Sequence, residues 1–179
     1  QLIRLIHRAS SVLFGLVPLI YAALSPGRLI QTIKDMLFDR TDIGWLKNAI
    51  PYYLLGKEGV MPPQGRWNTG EKLNMWLMVG GTIMFGLTGL LMWFGKGFMP
   101  VELFRAAVIL HDLTMIVTVN MFIIHFFLAV AHPLLWQSLV SMRFGVVSES
   151  YAREHHQKWY AQHDPRFIDD RTKTAESAE

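Results

Sequence analysis

Three stretches of the chain carry no Asp, Glu, Lys or Arg: residues 9–27, 73–95 and 113–142, which are 19, 23 and 30 residues long. A helix needs about 20 apolar residues to cross the hydrocarbon core of a bilayer, so each stretch predicts one transmembrane span. The segment between the first two, residues 25–74, is amphipathic rather than apolar. Ser25, Pro26 and Gly27 end the first helix. Leu29, Ile30, Ile33, Met36 and Leu37 then recur at helical spacing, which predicts a short helix on the inner membrane surface. Trp45, Tyr52 and Tyr53 suit the interface, and Gly56 to Gly70, with four glycines and two prolines, reads as loop. Beyond Met142 the chain is polar, basic and aromatic. From Asp169 onward it has no apolar periodicity and is expected to be disordered. The pattern predicts an all-α fold, a transmembrane helical bundle over residues 1–145 with a cytoplasmic loop at 25–74, followed by a cytoplasmic tail at 146–179.

Composition sharpens this. Only 17% of residues are charged and 51% are hydrophobic, against about 25% charged in soluble domains, which excludes an ordinary soluble globular domain. The absence of cysteine removes iron–sulfur clusters, thiolate zinc sites, disulfides and cysteine nucleophiles from this chain. The net charge of +3 is read here as a membrane signal, facing anionic lipid, and not as a nucleic-acid one. Of the 17 Lys and Arg, seven lie between the first and second spans and six in the tail, so one side holds 13 of them. That side is expected to be the cytoplasm. Gln1 then starts on the outer side. A preceding helix, missing from these residues or supplied by another chain, is the expected explanation.

Histidine is where chemistry concentrates. Of the seven, His155, His156 and His163 read as solvated tail residues, and His132 before Pro133 as an interface residue. His7, His111 and His125 lie in spans, where ionisable groups are costly and therefore functional candidates. His7 and His111 both sit near the outer side and can face each other. His125 follows His111 by 14 residues, a rise of about 21 Å that returns the side chain to nearly the same helix face. Two imidazoles so placed fit two stacked haems, each needing a neutral imidazole on either side of its iron. Proton relays and interhelical hydrogen bonds compete with that reading. Gly80, Gly81, Gly86 and Gly89 on the second span would admit a macrocycle or serve tight helix packing. His7 with His111 completes one bis-histidine pair; His125 needs a partner from elsewhere.

Five blocks carry a family likeness: Ile6-His7-Arg8; Gly65-Arg66-Trp67-Asn68-Thr69-Gly70-Glu71-Lys72; Leu110-His111-Asp112; Ile124-His125-Phe126; and Ala152-Arg153-Glu154-His155-His156-Gln157-Lys158-Trp159-Tyr160. By these the chain resembles the cytochrome b (gamma) subunit of respiratory, membrane-bound formate dehydrogenases, over nearly its whole length. The resemblance implies a four-helix bundle with two b haems, the outer held by His7 and His111, the inner by His125. The family's fourth ligand lies on its first transmembrane helix, and the corresponding histidine, the partner of His125, is expected on an unseen segment or a separate small subunit. The resemblance also implies a quinone pocket at Asn68 and Gly70 with His125 close by. Asn68 would donate to a quinone carbonyl, Gly70 admits close backbone approach, and Lys72 would support the quinol anion; Asn68 as a helix N-cap is the competing reading.

The implied partners are an iron–sulfur (beta) subunit, a catalytic molybdenum or tungsten (alpha) subunit, membrane lipid and menaquinone or ubiquinone. The implied location is the bacterial or archaeal cytoplasmic membrane. The chain would be an electron-transfer subunit taking protons from the cytoplasm, with no capacity to oxidise formate itself. Two rivals stand beside it: a cytochrome b subunit of a hydrogenase or of a thiosulfate or polysulfide reductase, and a haem-free membrane anchor or transporter. Inverted half-helices, the mark of many transporters, are not visible in the sequence. The tail histidines would either cap the bundle, the preferred reading, or feed protons toward the quinone.

Overall fold

The computed structural model describes residues 1–57, 59–132 and 135–163. Among them the regular structure is entirely helical: α1 (Leu2–Leu24), α2 (Pro26–Asp35), α3 (Arg40–Tyr53), α4 (Thr69–Phe94), α5 (Val101–Phe126), α6 (Gln137–Phe144), α7 (Glu149–His155) and α8 (Gln157–His163), with a π-helical segment at Phe127–Ala131 continuing α5. Three helices are long and apolar enough to cross a membrane: α1, α4, and α5 with its π-helical extension. The fold is an all-α transmembrane bundle. The expectation for Asp169 onward lies outside the described residues.

The spans are offset from the charge-free stretches. The last transmembrane helix begins at Val101 and ends with the π segment at Ala131, not at 113 and 142. Glu102, Arg105 and Asp112 occupy its first turns, where one end of the helix can reach water. Residues 25–74 hold a second helix that the apolar spacing did not reveal. α3 opens on a reciprocal capping box: the Asp39 side chain accepts from the Thr41 N–H at 2.7 Å, and the Asp42 carboxylate accepts from the Asp39 N–H at 2.5 Å.

The chain divides into two compact units. One comprises Gln1–Lys34 and Asn74–Ile123, the other Asp35–Leu73 and the chain from Ile124 onward. In the first, α4 and α5 approach closely at Gly81, where an added Cβ would stand 2.5 Å from the Thr118 methyl. Gly81 is thus a packing glycine. Arg8 of α1 lies over the Trp93 ring of α4, 4.9 Å from its centroid. No residue of α1 is buried, so its apolar surface faces whatever surrounds the chain.

In the second unit, loop and tail interlock through named polar contacts. The His156 ring nitrogen Nδ1 meets the Gly65 carbonyl at 3.0 Å, the Lys158 N–H donates to the Gln64 carbonyl at 2.9 Å, and the Gln64 N–H donates to the Gln157 side chain at 3.0 Å. Lys158 also donates to Asp39 and to the Thr41 hydroxyl, at 2.8 and 2.9 Å. Hydrogen bonding to Lys158 and Thr41 holds the Asp39 carboxyl well below the usual carboxylate range. Beneath this the Lys72 ammonium lies 2.9 Å from Asp42, with side chains only 7% and 4% exposed. The Thr69 hydroxyl donates to the same carboxylate at 2.5 Å.

Candidate functional site

His7 of α1 and His111 of α5 come together as their positions near one membrane face require. Their ring centroids are 6.2 Å apart and their planes cross at 75°. Two imidazoles bonded to opposite sides of one metal at about 2 Å per bond have centroids about 6 Å apart, so the pair has the span of a bis-imidazole site. The edge-on contact of His111 with Phe85 is tighter, at 4.9 Å. Phe85 is therefore a wall beside the His111 ring.

The tautomer of His111 follows from a neighbour that sequence reasoning missed. Thr88 of α4 is buried; its hydroxyl donates to the Met84 carbonyl at 2.6 Å and lies 2.8 Å from His111 Nδ1. A hydroxyl has one proton. With that proton on Met84, Thr88 accepts from His111, so Nδ1 carries the hydrogen and Nε2 keeps its lone pair. This is the outer-shell arrangement that orients a metal-ligating histidine. Gly89 completes the seat: an added Cβ would lie 3.7 Å from the His111 ring, while Gly80 and Gly86 have nothing within 4 Å. The four glycines thus divide: Gly81 packs against α5, Gly89 lies beside the imidazole, and Gly80 and Gly86 line open space. Among the described residues no group of three or more His, Cys, Asp or Glu could hold a metal ion.

Replacing Thr88 with valine tests this arrangement. Valine keeps the shape and removes the acceptor. Losing an outer-shell partner typically costs 10–100-fold in metal affinity, so haem retention at this site should weaken about tenfold. Its midpoint potential should rise, because an imidazole without that hydrogen bond donates less density to the ferric state. A redox titration with unchanged midpoint would remove Thr88 from the site.

His125 lies on the same unbroken α5 as His111, half-buried and without a hydrogen bond or ring contact among the described residues. The π-helical segment that follows is a local irregularity often found beside functional residues. His132, just past it, is buried against the Tyr53 and Phe127 rings at 5.6 and 6.1 Å.

The expected quinone residues separate. Asn68 lines a cleft of the second unit, together with Trp45, Tyr52, Gln64, Glu154 and His155, enclosing about 80 Å³. It also caps α4. Its Oδ1 accepts from the Glu71 N–H at 3.0 Å, and the Glu71 carboxylate accepts from the Asn68 N–H at 2.8 Å. With Oδ1 committed, Nδ2 is the end that can donate to a ligand. Gly70 lies behind the cleft wall: an added Cβ would stand 2.9 Å from the Trp45 ring, so any side chain there would push Trp45 aside. Lys72 is bound to Asp42 rather than aimed into the cleft, and His125 is not part of its lining. Burial pushes the Tyr53 hydroxyl of this cleft far above its ordinary value and pulls His155 below the usual imidazole range.

The sequence pattern of prokaryotic cytochrome b561 matches residues 1–145. The chain belongs to the prokaryotic cytochrome b561 family. As a b561-family chain it is also similar to the cytochrome b556(Fdn) subunit of the nitrate-inducible formate dehydrogenase of Escherichia coli K12, with 26% identity over 135 residues, 73% of this chain and 59% of that one. The formate dehydrogenase cytochrome b556 subunit of Haemophilus influenzae is 25% identical over 68% of this chain and 50% of its own length. The cytochrome b556(fdo) subunit of E. coli K12 is 27% identical over 69% and 57%. The chain thus spans half to three fifths of the length of these relatives. A b561-family cytochrome binds haem b.

Proposed function

We propose that this chain is the membrane cytochrome b subunit of a formate dehydrogenase, carrying electrons from an iron–sulfur subunit to menaquinone or ubiquinone in a bacterial or archaeal cytoplasmic membrane. The observation that carries it is the His7–His111 pair, with its 6.2 Å spacing and the Thr88 contact that leaves Nε2 of His111 with its lone pair. The relatives named as formate dehydrogenase subunits support the choice of donor.

In this reading His7 and His111 hold an outer haem, and His125 holds an inner one with an imidazole from outside these residues. When bound, the haems supply one-electron carriage between the partner and quinone. The residues of the chain fix and tune the site: Thr88 sets the His111 tautomer, and the ring lies beside Gly89 of α4. In this reading loop and tail lie on the cytoplasmic side, where Asn68 Nδ2 donates to a quinone carbonyl and Gly70 lets Trp45 close the wall. Lys72, tied to Asp42, steadies the segment that bears them, and His125 places the electron source nearby. Proton uptake follows from the same side.

Formate added to anaerobic membranes containing the intact complex should reduce b-type absorbance, and quinone should reoxidise it. Formate that leaves the b bands unchanged would reject the donor. Asn68→Ala should raise the KM for quinone about tenfold, the order expected for one buried hydrogen bond to a ligand, with haem content unchanged; unaltered quinone kinetics would remove Asn68 from the site.

A further inference from the structure

The tail motif contains two adjacent histidines that the fold uses differently. His156 is bound to the Gly65 carbonyl and, with Gln157 and Lys158, pins the tail to the loop. His155 takes no part in that docking. Its ring packs on Tyr151, with centroids 4.3 Å apart, and lines the same cleft as Asn68, with its side chain 13% exposed. Beside it stands Glu154, 61% exposed, which also lines the cleft. The Glu154 carboxylate oxygen that accepts from the Tyr52 hydroxyl at 3.3 Å is 3.9 Å from His155 Nε2, a separation suited to one bridging water. A solvent-exposed carboxylate, a sheltered imidazole and an amide donor therefore border one cleft.

We propose that His155 relays protons from the aqueous side into the cleft, to the quinone oxygen bound by Asn68, with Glu154 as the outer group that collects them. This rests on the quinone reading of the cleft given above. Reducing one quinone consumes two electrons, which reach it singly from the formate-oxidising partner through the cytochrome, and two protons. Each proton is taken from water by Glu154 or by His155 directly. It leaves the His155 imidazolium as a quinone oxygen gains electron density, an O–H bond forms there, and the neutral imidazole is protonated again from the solvent side. The titratable groups around His155 are Tyr52 and Tyr53 of α3, Tyr151, Glu154 and His156 of its own segment, and Glu71 of α4, which acts on Tyr53 and Tyr151. Burial, and to a lesser degree His156, lower the His155 pKa against the opposing pull of Glu154.

The experiment uses the intact complex, with formate as donor and a soluble short-chain quinone as acceptor, across mildly acidic to mildly alkaline pH. His155→Gln keeps size and polarity but cannot be protonated. The expected result is a loss of maximal rate of about tenfold or more that deepens as pH rises, with KM for quinone, haem content and formate-driven haem reduction unchanged. Added imidazole should restore part of the rate, which a merely structural role would not allow. Glu154→Gln, on an exposed side chain, gives an independent reading and should lose rate in the same direction to a smaller extent. An unaltered pH profile without imidazole rescue in His155→Gln, while Asn68→Ala raises the KM for quinone, overturns the relay alone. Unaltered kinetics in Asn68→Ala as well overturn the relay together with the quinone reading beneath it.

Discussion

Replacing His111 with alanine should remove one b haem per chain while leaving the chain inserted in the membrane. α5 with its π-helical extension is long and apolar enough to cross a membrane, and alanine is the best helix former, so the span survives. What is lost is one of the two imidazoles that would hold the haem, and a bis-imidazole site could not be completed by His7 alone. The cost must exceed the 10–100-fold attached to outer-shell partners, so formate-driven quinone reduction should fall by more than about a hundredfold. Haem content by extraction and the amplitude of the reduced b band both read the result. Thr88→Val, expected to weaken the same site only modestly, supplies the graded comparison: two variants on facing helices should affect one and the same haem. Full haem content in His111→Ala would mean that the His7–His111 contact is packing.

The second large effect lies in the loop unit. Asp42→Ala strands the Lys72 ammonium, whose side chain is only 7% exposed, and removes the nearer of the two acceptors of the Thr69 hydroxyl, leaving Gln64. Breaking a buried pair from one side typically costs about 3–5 kcal/mol, so the segment bearing Asn68 should open locally. Hydrogen exchange over residues 40–72 in the intact complex would show it as lost protection. The paired change Asp42→Leu with Lys72→Met should recover most of that protection, because both desolvated charges then disappear. Equal damage in single and double variants would deny that the charge pair holds the loop. The pH dependence has a defined sign. Burial alone would raise the Asp42 carboxyl, but Thr69, the Asp39 N–H and Lys72 outweigh it and hold it below its ordinary value. A carboxyl lowered in the folded state contributes stability above its unfolded pKa, about 4, and loses it as pH falls through the lowered folded value. The loop should therefore be indifferent to pH near neutrality and loosen only in acid.

The parts of this molecule written at short range are readable from sequence. The three spans follow from runs without charge. The His7–His111 pairing follows from membrane depth, because both residues sit near the same side of their spans. The Asn68 cap follows from an asparagine three residues before a glutamate, the signature of a capping box. Other features depend on contacts no local pattern carries. Thr88 is one of several threonines in apolar helices, and only the facing His111 distinguishes it. Asp42 and Lys72 are 30 residues apart and each, alone, reads as surface charge. α3 escaped an apolar-periodicity search because its boundary is set by aspartates, although Asp39 and Asp42 stand at N-cap spacing. The tail histidines look alike in sequence. One bonds to a backbone carbonyl of the loop and the other lines the cleft, a difference made by the cap at His156 that ends α7 between them.

The central claim is that His7 and His111 hold a b haem in a membrane cytochrome. The measurement that tests it most directly is a pyridine haemochrome assay with dithionite difference spectra, scaled to moles of this chain in its purified complex. The account predicts two b haems per chain, one lost on mutation of His111 and one retained. A purified complex without b-type absorbance would contradict it and leave the three intramembrane histidines as relay or packing residues.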